Sequence, residues 1–266
     1  MPELETPLDA APSPEAWWAI VAWLAQSRAA GALGGAVKEA KARVAGWPES
    51  VPRVCPLAWL RRLADGEEVA EASLVNTLEL GNALALAPGG FDDFFTLDPA
   101  ELGAILEAPF GPITTLSYSD EVGCHPLHPG FVVEMEDAQT LLRRPWPALK
   151  WFRLSGWGLT ETLLPWIEAA AGMTSLRRLS LGQGGWEVDE DALRRVLASP
   201  LLGRTTHLEL VGYDGLMTPP LARQIVAAPS IRGLTEIHLG EMSRECAVIF
   251  GTLAQDGVRV EVDVVD

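Results

Sequence analysis

Hexapeptides of the form LxxLxL recur from residue 113 onward at a nearly constant interval. Leu149-Lys-Trp-Phe-Arg-Leu154, Leu176-Arg-Arg-Leu-Ser-Leu181 and Leu234-Thr-Glu-Ile-His-Leu239 carry the pattern. Thr205-Thr-His-Leu-Glu-Leu210 carries it with Thr205 in the first place, and Ile113-Thr-Thr-Leu-Ser-Tyr118 is a divergent fifth copy. The fourth-position residues Leu116, Phe152, Leu179, Leu208 and Ile237 are separated by 36, 27, 29 and 29 residues. A period in this range marks units that cannot bury an apolar face alone and must stack on their neighbours. The long first interval carries an insertion, which places residues 119–136 in a loop between two repeats.

What precedes the strand motifs repeats too: in three of the five repeats an apolar i, i+3, i+4 pattern, or nearly so, stops on proline. Leu102 to Pro109, Leu193 to Pro200 and Leu221 to Pro229 read this way, as short amphipathic helices that proline ends. Arg143-Arg-Pro145 and Gly172 occupy the equivalent stop in the other two repeats. Strand, turn, helix and stop in this order resemble the leucine-rich repeat, and the long helical period resembles its ribonuclease-inhibitor-like subclass. The resemblance covers about residues 97–262. Gly156, Gly182, Gly212 and Gly240 stand after the strands where that family usually has an asparagine, so a glycine-built turn replaces its asparagine ladder.

The fold expected is therefore α/β, a leucine-rich-repeat solenoid with parallel strands on a concave face and helices outside. Residues 1–72 read as a helical N-terminal cap and residues 73–266 as the repeat domain, with a further strand at Val75 to Leu80. Ser13 and Pro14 signal a helix start, followed by an apolar stripe of Trp17, Val21 and Leu24 with Trp18. Pro52-Arg-Val-Cys-Pro-Leu-Ala-Trp-Leu-Arg-Arg62, followed by Asp65-Gly66, resembles the short bacterial repeat-companion segment that precedes such repeats. At the other end, Val258-Arg-Val-Glu-Val-Asp-Val264 alternates strictly and reads as a half-exposed edge strand whose charges deter edge pairing.

The two-residue period of strands turns the alignment into a surface map. Leucines point inward, and positions 2, 3 and 5 point out. Position 2 reads Thr114, Lys150, Arg177, Thr206, Thr235; position 3 reads Thr115, Trp151, Arg178, His207, Glu236; position 5 reads Ser117, Arg153, Ser180, Glu209, His238. Adjacent strands lie about 4.8 Å apart, so residues of one row are neighbours. A basic aromatic patch (Lys150, Trp151, Arg153, Arg177, Arg178) thus passes into a mixed patch (His207, Glu209, Glu236, His238). These nine residues are the candidate partner-binding set. Trp151 beside arginines has the composition of an interface hot spot, or is stacked under Arg153 and Arg178 as a cation–π filler.

Charge is distributed unevenly. The formal net charge is −16, and residues 63–142 hold 15 acids with no Lys or Arg. Such a field repels nucleic acid and anionic membrane and steers a basic partner, or serves as a solvated surface that maintains solubility. Cys55, Cys124 and Cys246 are odd in number and far apart, which points to a reducing, cytoplasmic setting rather than a disulfide framework. The apolar run from Ala16 to Ala25 lacks a basic flank and is too short to span a bilayer.

No G-x-S-x-G, G-x-x-x-x-G-K-[ST], H-E-x-x-H or strand-borne G-x-G-x-x-G occurs. The expected function is a non-enzymatic module that binds a protein or peptide on the concave face, without a cofactor or a metal. The alternative is an enzyme or metal-binding protein using His207, Glu209, Glu236 and His238, or Cys124, His125 and His128, the last three sitting in the insertion. A third reading, a structural subunit that assembles through its edge strand or acidic face, predicts a concentration-dependent mass.

Overall fold

The computed structural model describes residues 7–81, 99–119, 144–156, 173–183, 194–195, 197–211 and 217–265. The architecture is mixed α and β. Hydrogen bonding orders seven strands in one sheet: β1 (Thr77–Gly81), β2 (Thr115–Ser119), β3 (Trp151–Gly156), β4 (Arg178–Gln183), β5 (His207–Val211), β6 (Glu236–Ser243) and β7 (Arg259–Val265). Strand order follows chain order, and the pairs from β3 to β7 are parallel. Six α-helices have both bounds among the described residues: α1 (Pro14–Ala29), α2 (Leu33–Val44), α3 (Leu57–Ala64), α4 (Pro99–Glu107), α5 (Pro219–Ala227) and α6 (Arg244–Gln255). None is long and apolar enough to cross a membrane.

The chain divides into two compact units. One draws on Met1–Glu79 and Ala100–Thr115, the other on Leu80–Pro99 and Leu116–Asp266. In the first, the Ser13 side chain caps α1 by accepting from the Ala16 N–H at 3.1 Å, as the sequence anticipates. Gly31, at φ 71°, ends the helix: the Ala32 N–H reaches back to the Ser27 carbonyl at 2.8 Å, a reversal that a side chain would strain. The buried stripe of α1 is Trp17, Ile20, Trp23 and Leu24, while Trp18 is 44% exposed. That corrects the expected stripe: the buried arc centres on Ile20, Val21 lies one residue or about 100° from it at the rim, and Trp18, two residues away, lies about 160° round the helix.

Trp17 ties α1 to the segment around Val54 and to α3. Its Nε1–H donates to the Val54 carbonyl at 2.9 Å, and its ring meets Trp59 of α3 edge-on with centroids 6.1 Å apart. Val54 forms an isolated parallel bridge with Thr77, so the Pro52-to-Cys55 segment acts as a rudimentary strand before β1. Asn76 is buried and organises this junction. Its Oδ1 accepts from the Arg53 N–H at 2.7 Å and the Thr77 hydroxyl at 2.9 Å, while its Nδ2 donates to the Val51 carbonyl at 3.2 Å. Burial lowers the pKa of Arg53, against an opposing pull from Glu49, and its Nε–H donates to the Leu74 carbonyl. Glu71 is also buried, with Oε1 held between Arg28 at 3.3 Å and Arg62 at 3.5 Å.

In the second unit the repeat positions behave as the spacing predicts. Phe152, Leu179, Leu208 and Ile237 are in direct register and buried, and Leu181, Leu210 and Leu239 line the same side. Leu116 in β2 is buried likewise, as is Leu78 of β1 in the first unit. Burying one such side chain stabilises the fold by about 1.5–3 kcal/mol, so these leucines and their substitutes carry the core.

A main-chain pattern recurs at the strand entrances. The Lys150 carbonyl accepts from the Arg177 and Arg178 N–H groups at 2.8 and 2.9 Å; the Arg177 carbonyl accepts from Thr206 and His207 at 2.8 and 3.0 Å. The Thr206 carbonyl does the same for Thr235 and Glu236 at 2.8 and 3.1 Å. In the first unit Asn76 serves Thr114 and Thr115, and Arg53 serves Asn76 and Thr77. One carbonyl oxygen has two lone pairs, and here both are used.

The proline stops are met in part. α4 ends at Glu107, two residues before Pro109; α5 ends at Ala227, two residues before Pro229; residues 197–198 are helical before Pro200. Gly257, at φ 86°, closes α6 and lets the Val258 N–H return to the Leu253 carbonyl at 3.1 Å. The stops assigned to Arg143 and Gly172, the turn at Gly212 and the insertion from residue 120 to 136 lie outside the described residues.

Candidate functional site

Opposite the leucines, the sheet from β3 to β7 carries two rows of side chains in register. The position-3 row runs Trp151, Arg178, His207, Glu236, Arg259, and the position-5 row runs Arg153, Ser180, Glu209, His238, Glu261. Lys150, Arg177, Thr206 and Thr235 stand at the strand entrances just before the first row. The nine residues singled out from sequence therefore fall on one face of four consecutive strands and their entrances. Arg259 and Glu261 extend both rows, and sequence spacing missed them. Ile237 and its partner Val260 are 23 residues apart rather than 29, so the last strand falls out of phase with the leucine count.

The rows are joined by charge. Arg178 lies over Trp151, 4.6 Å from the ring centroid, and reaches Glu209 at 3.3 Å. Glu209 also approaches His238 Nδ1 at 3.7 Å, which makes a chain Trp151, Arg178, Glu209, His238 across four strands. A second chain runs His207, Glu236, Arg259, Glu261. His207 Nε2 is 3.5 Å from Glu236, Arg259 is 3.8 Å from Glu236, and Arg259 bridges Glu261 on its own strand. All but Glu209 and Glu236 of these charged groups are more than about a third exposed, so each pair contributes on the order of 0–1 kcal/mol. Their effect is to hold side chains in place on a patterned surface.

The threonines bind the entrances. Thr235 Oγ1 donates to the Thr206 carbonyl at 3.0 Å, and Thr206 Oγ1 donates to the Arg177 carbonyl at 3.2 Å while lying 2.8 Å from His207 Nδ1. Arg177 Nη1 folds back onto the Leu176 carbonyl at 3.1 Å.

Trp151 carries the Arg178 guanidinium over its ring, without Arg153 in the stack. Its Nε1 is buried without a hydrogen-bond partner. Ser180, expected to point out with its row, is 1% exposed, and its Oγ is likewise buried without a partner. A small residue between longer neighbours is closed over even on an outward row, which a two-residue period does not register. Among the described residues no group of three or more His, Cys, Asp or Glu is arranged to hold a metal ion. Cys124, His125 and His128 lie outside the described residues. Cys55 and Cys246 are buried free thiols, and burial pushes the Cys55 thiol far above its ordinary pKa.

No protein-family model matches this chain, and no curated protein sequence matches it either.

Proposed function

We propose that the chain is a non-enzymatic protein-interaction module, a leucine-rich-repeat solenoid that binds a protein or peptide on the outward face of β3 to β6. The observation that carries this reading is the pair of in-register rows, in which aromatic, basic and acidic side chains are held by one another at fixed spacing. A preorganised surface of Trp and Arg suits recognition, since little side-chain freedom remains to be lost on binding. The acids of residues 63–142, of which Asp65, Glu67 and Glu68 are exposed, supply long-range attraction for a basic region of the partner.

The test is affinity capture from native lysate at low and high salt, with the wild type and a Trp151→Ala, Arg153→Ala, Arg178→Ala variant side by side. The expected result is a partner retained by the wild type, weakened by salt, and lost by a folded triple variant. Equal capture by both proteins would overturn the assignment to this face.

A further inference from the structure

β7 is last in the hydrogen-bond order of the sheet, and its outer edge meets no strand among the described residues. Arg259 donates its N–H to the Thr235 carbonyl on the β6 side. In a parallel ladder alternate residues bond to opposite neighbours, so Val260 and Val262 direct their N–H and C=O groups to the free edge. The apolar side of the strand is open as well. Leu208, Leu210, Ile237 and Leu239 are buried, whereas Val260 and Val262 are half-buried and Val264 is 48% exposed. On α6, which packs against β7, Val248 is 69% exposed. Among the described residues, main chain without a strand partner and part-exposed valines thus coincide at one end of the sheet, the combination that invites another strand.

We propose that this edge pairs antiparallel with β7 of a second copy of the chain, the two-fold axis passing through Val260. The charges on the strand select both the occupant and the register. Residues 259, 261 and 263 share the outward face. With Val260 on the axis, Arg259 stands opposite Glu261 of the second copy, Glu261 stands opposite its Arg259, and Val262 stands opposite its Val258. An axis at Glu261 sets that carboxylate against itself, and an axis at Val262 sets Glu261 against Asp263. Like charges directly opposite one another destabilise a ladder and opposite charges stabilise it, so the pattern that deters other registers favours this one. Antiparallel strands exchange hydrogen bonds between facing residues, and Val260 opposite Val260 places free-edge groups against free-edge groups.

Sedimentation velocity of the full chain from low to high micromolar concentration is the test. A reversible monomer–dimer equilibrium is expected. Arg259→Glu or Glu261→Arg alone should weaken the dimer about tenfold, because each changes two symmetry-related cross-strand pairs, and R259E/E261R together should restore it. Val260→Pro removes a free-edge N–H and leaves the β6 bonds intact, so it should abolish the dimer at unchanged circular dichroism. Should that variant fold poorly, the charge variants decide alone. A monomer at every concentration, a dimer indifferent to these changes, or a folded double variant that stays monomeric would each overturn the proposal. So would a wild-type monomer whose edge accepts only an added peptide strand.

Discussion

The Arg178 guanidinium sits 4.6 Å above the Trp151 ring and 3.3 Å from the Glu209 carboxylate, so one side chain from β4 joins its two neighbouring strands. Removing it exposes the ring and leaves Glu209 facing His238 alone. Arg178→Ala should lower stability by about 1 kcal/mol in urea denaturation and raise iodide quenching of the Trp151 emission, isolated by comparison with Trp151→Phe. Arg178→Lys keeps the charge and loses the planar stack, so it should quench like Ala. Wild-type quenching in both variants would mean that the stack does not persist in solution.

Asn76 is expected to matter more than any charged residue on the outward face. It is buried and serves the Arg53 N–H, the Thr77 hydroxyl and the Val51 carbonyl together. Asn76→Ala strands all three groups, at roughly 1–3 kcal/mol for a single buried unsatisfied partner. A loss of about 2–4 kcal/mol is the expected outcome in chemical denaturation. A change below about 0.5 kcal/mol would show that water replaces the amide at no cost.

Gly111 marks a close approach of two main-chain segments. A Cβ placed there would meet the Ser73 carbonyl oxygen at 2.8 Å and the Val75 carbonyl oxygen at 3.0 Å. Backbone cannot rotate away as a side chain can, so Gly111→Ala should cost about 1–3 kcal/mol, visible as a lower melting temperature. Gly103, with open space around its Cβ direction and a helical backbone, is the control. Alanine there should be neutral or slightly stabilising.

Thiol labelling offers a probe of local opening. Cys55 and Cys246 are buried, the first with its pKa pushed up by burial and the second with its Sγ 3.0 Å from the Met217 carbonyl oxygen. Neither should react with a disulfide reagent in the native state near neutral pH, and both should react in denaturant. Raising the pH toward the ordinary thiol range should leave Cys55 protected, because its folded-state pKa lies higher still. Rapid native labelling at Cys55 would show that the Trp17–Trp59 region opens easily.

Much of the sheet is legible from the leucine count. Leu179, Leu208 and Ile237 can be placed in register because an apolar side chain every 29 residues is the one periodicity that stacking requires. A second signal lies beside it, weaker because its residues vary. At five of the six first positions, Ile113 being the exception, the N–H bonds to the carbonyl three residues earlier, and that earlier residue is apolar and buried: Ala72 before Val75, Trp146 before Leu149, Met173 before Leu176, Leu202 before Thr205, Ile231 before Leu234. Together with the leucines it brings β1 into phase, as Val75-Asn-Thr-Leu-Glu-Leu80. Glu71 could not be recognised as buried inside an acidic run, because the arginines that pair with it come from positions 28 and 62. Spacing likewise says nothing about which carboxylate Arg178 chooses, since rotamers and neighbours on other strands decide it.

The doubly used carbonyls at the strand entrances carry a consequence for how such a surface can change. Lys150, Arg177 and Thr206 perform the same main-chain task with unrelated side chains. The scaffold is thus indifferent to the letters written on it, and the outward rows can be rewritten residue by residue while the strands keep their alignment. Strand alignment and the choice of outward side chain are separable at these entrances, which makes the face of the sheet a natural place to engineer a new specificity.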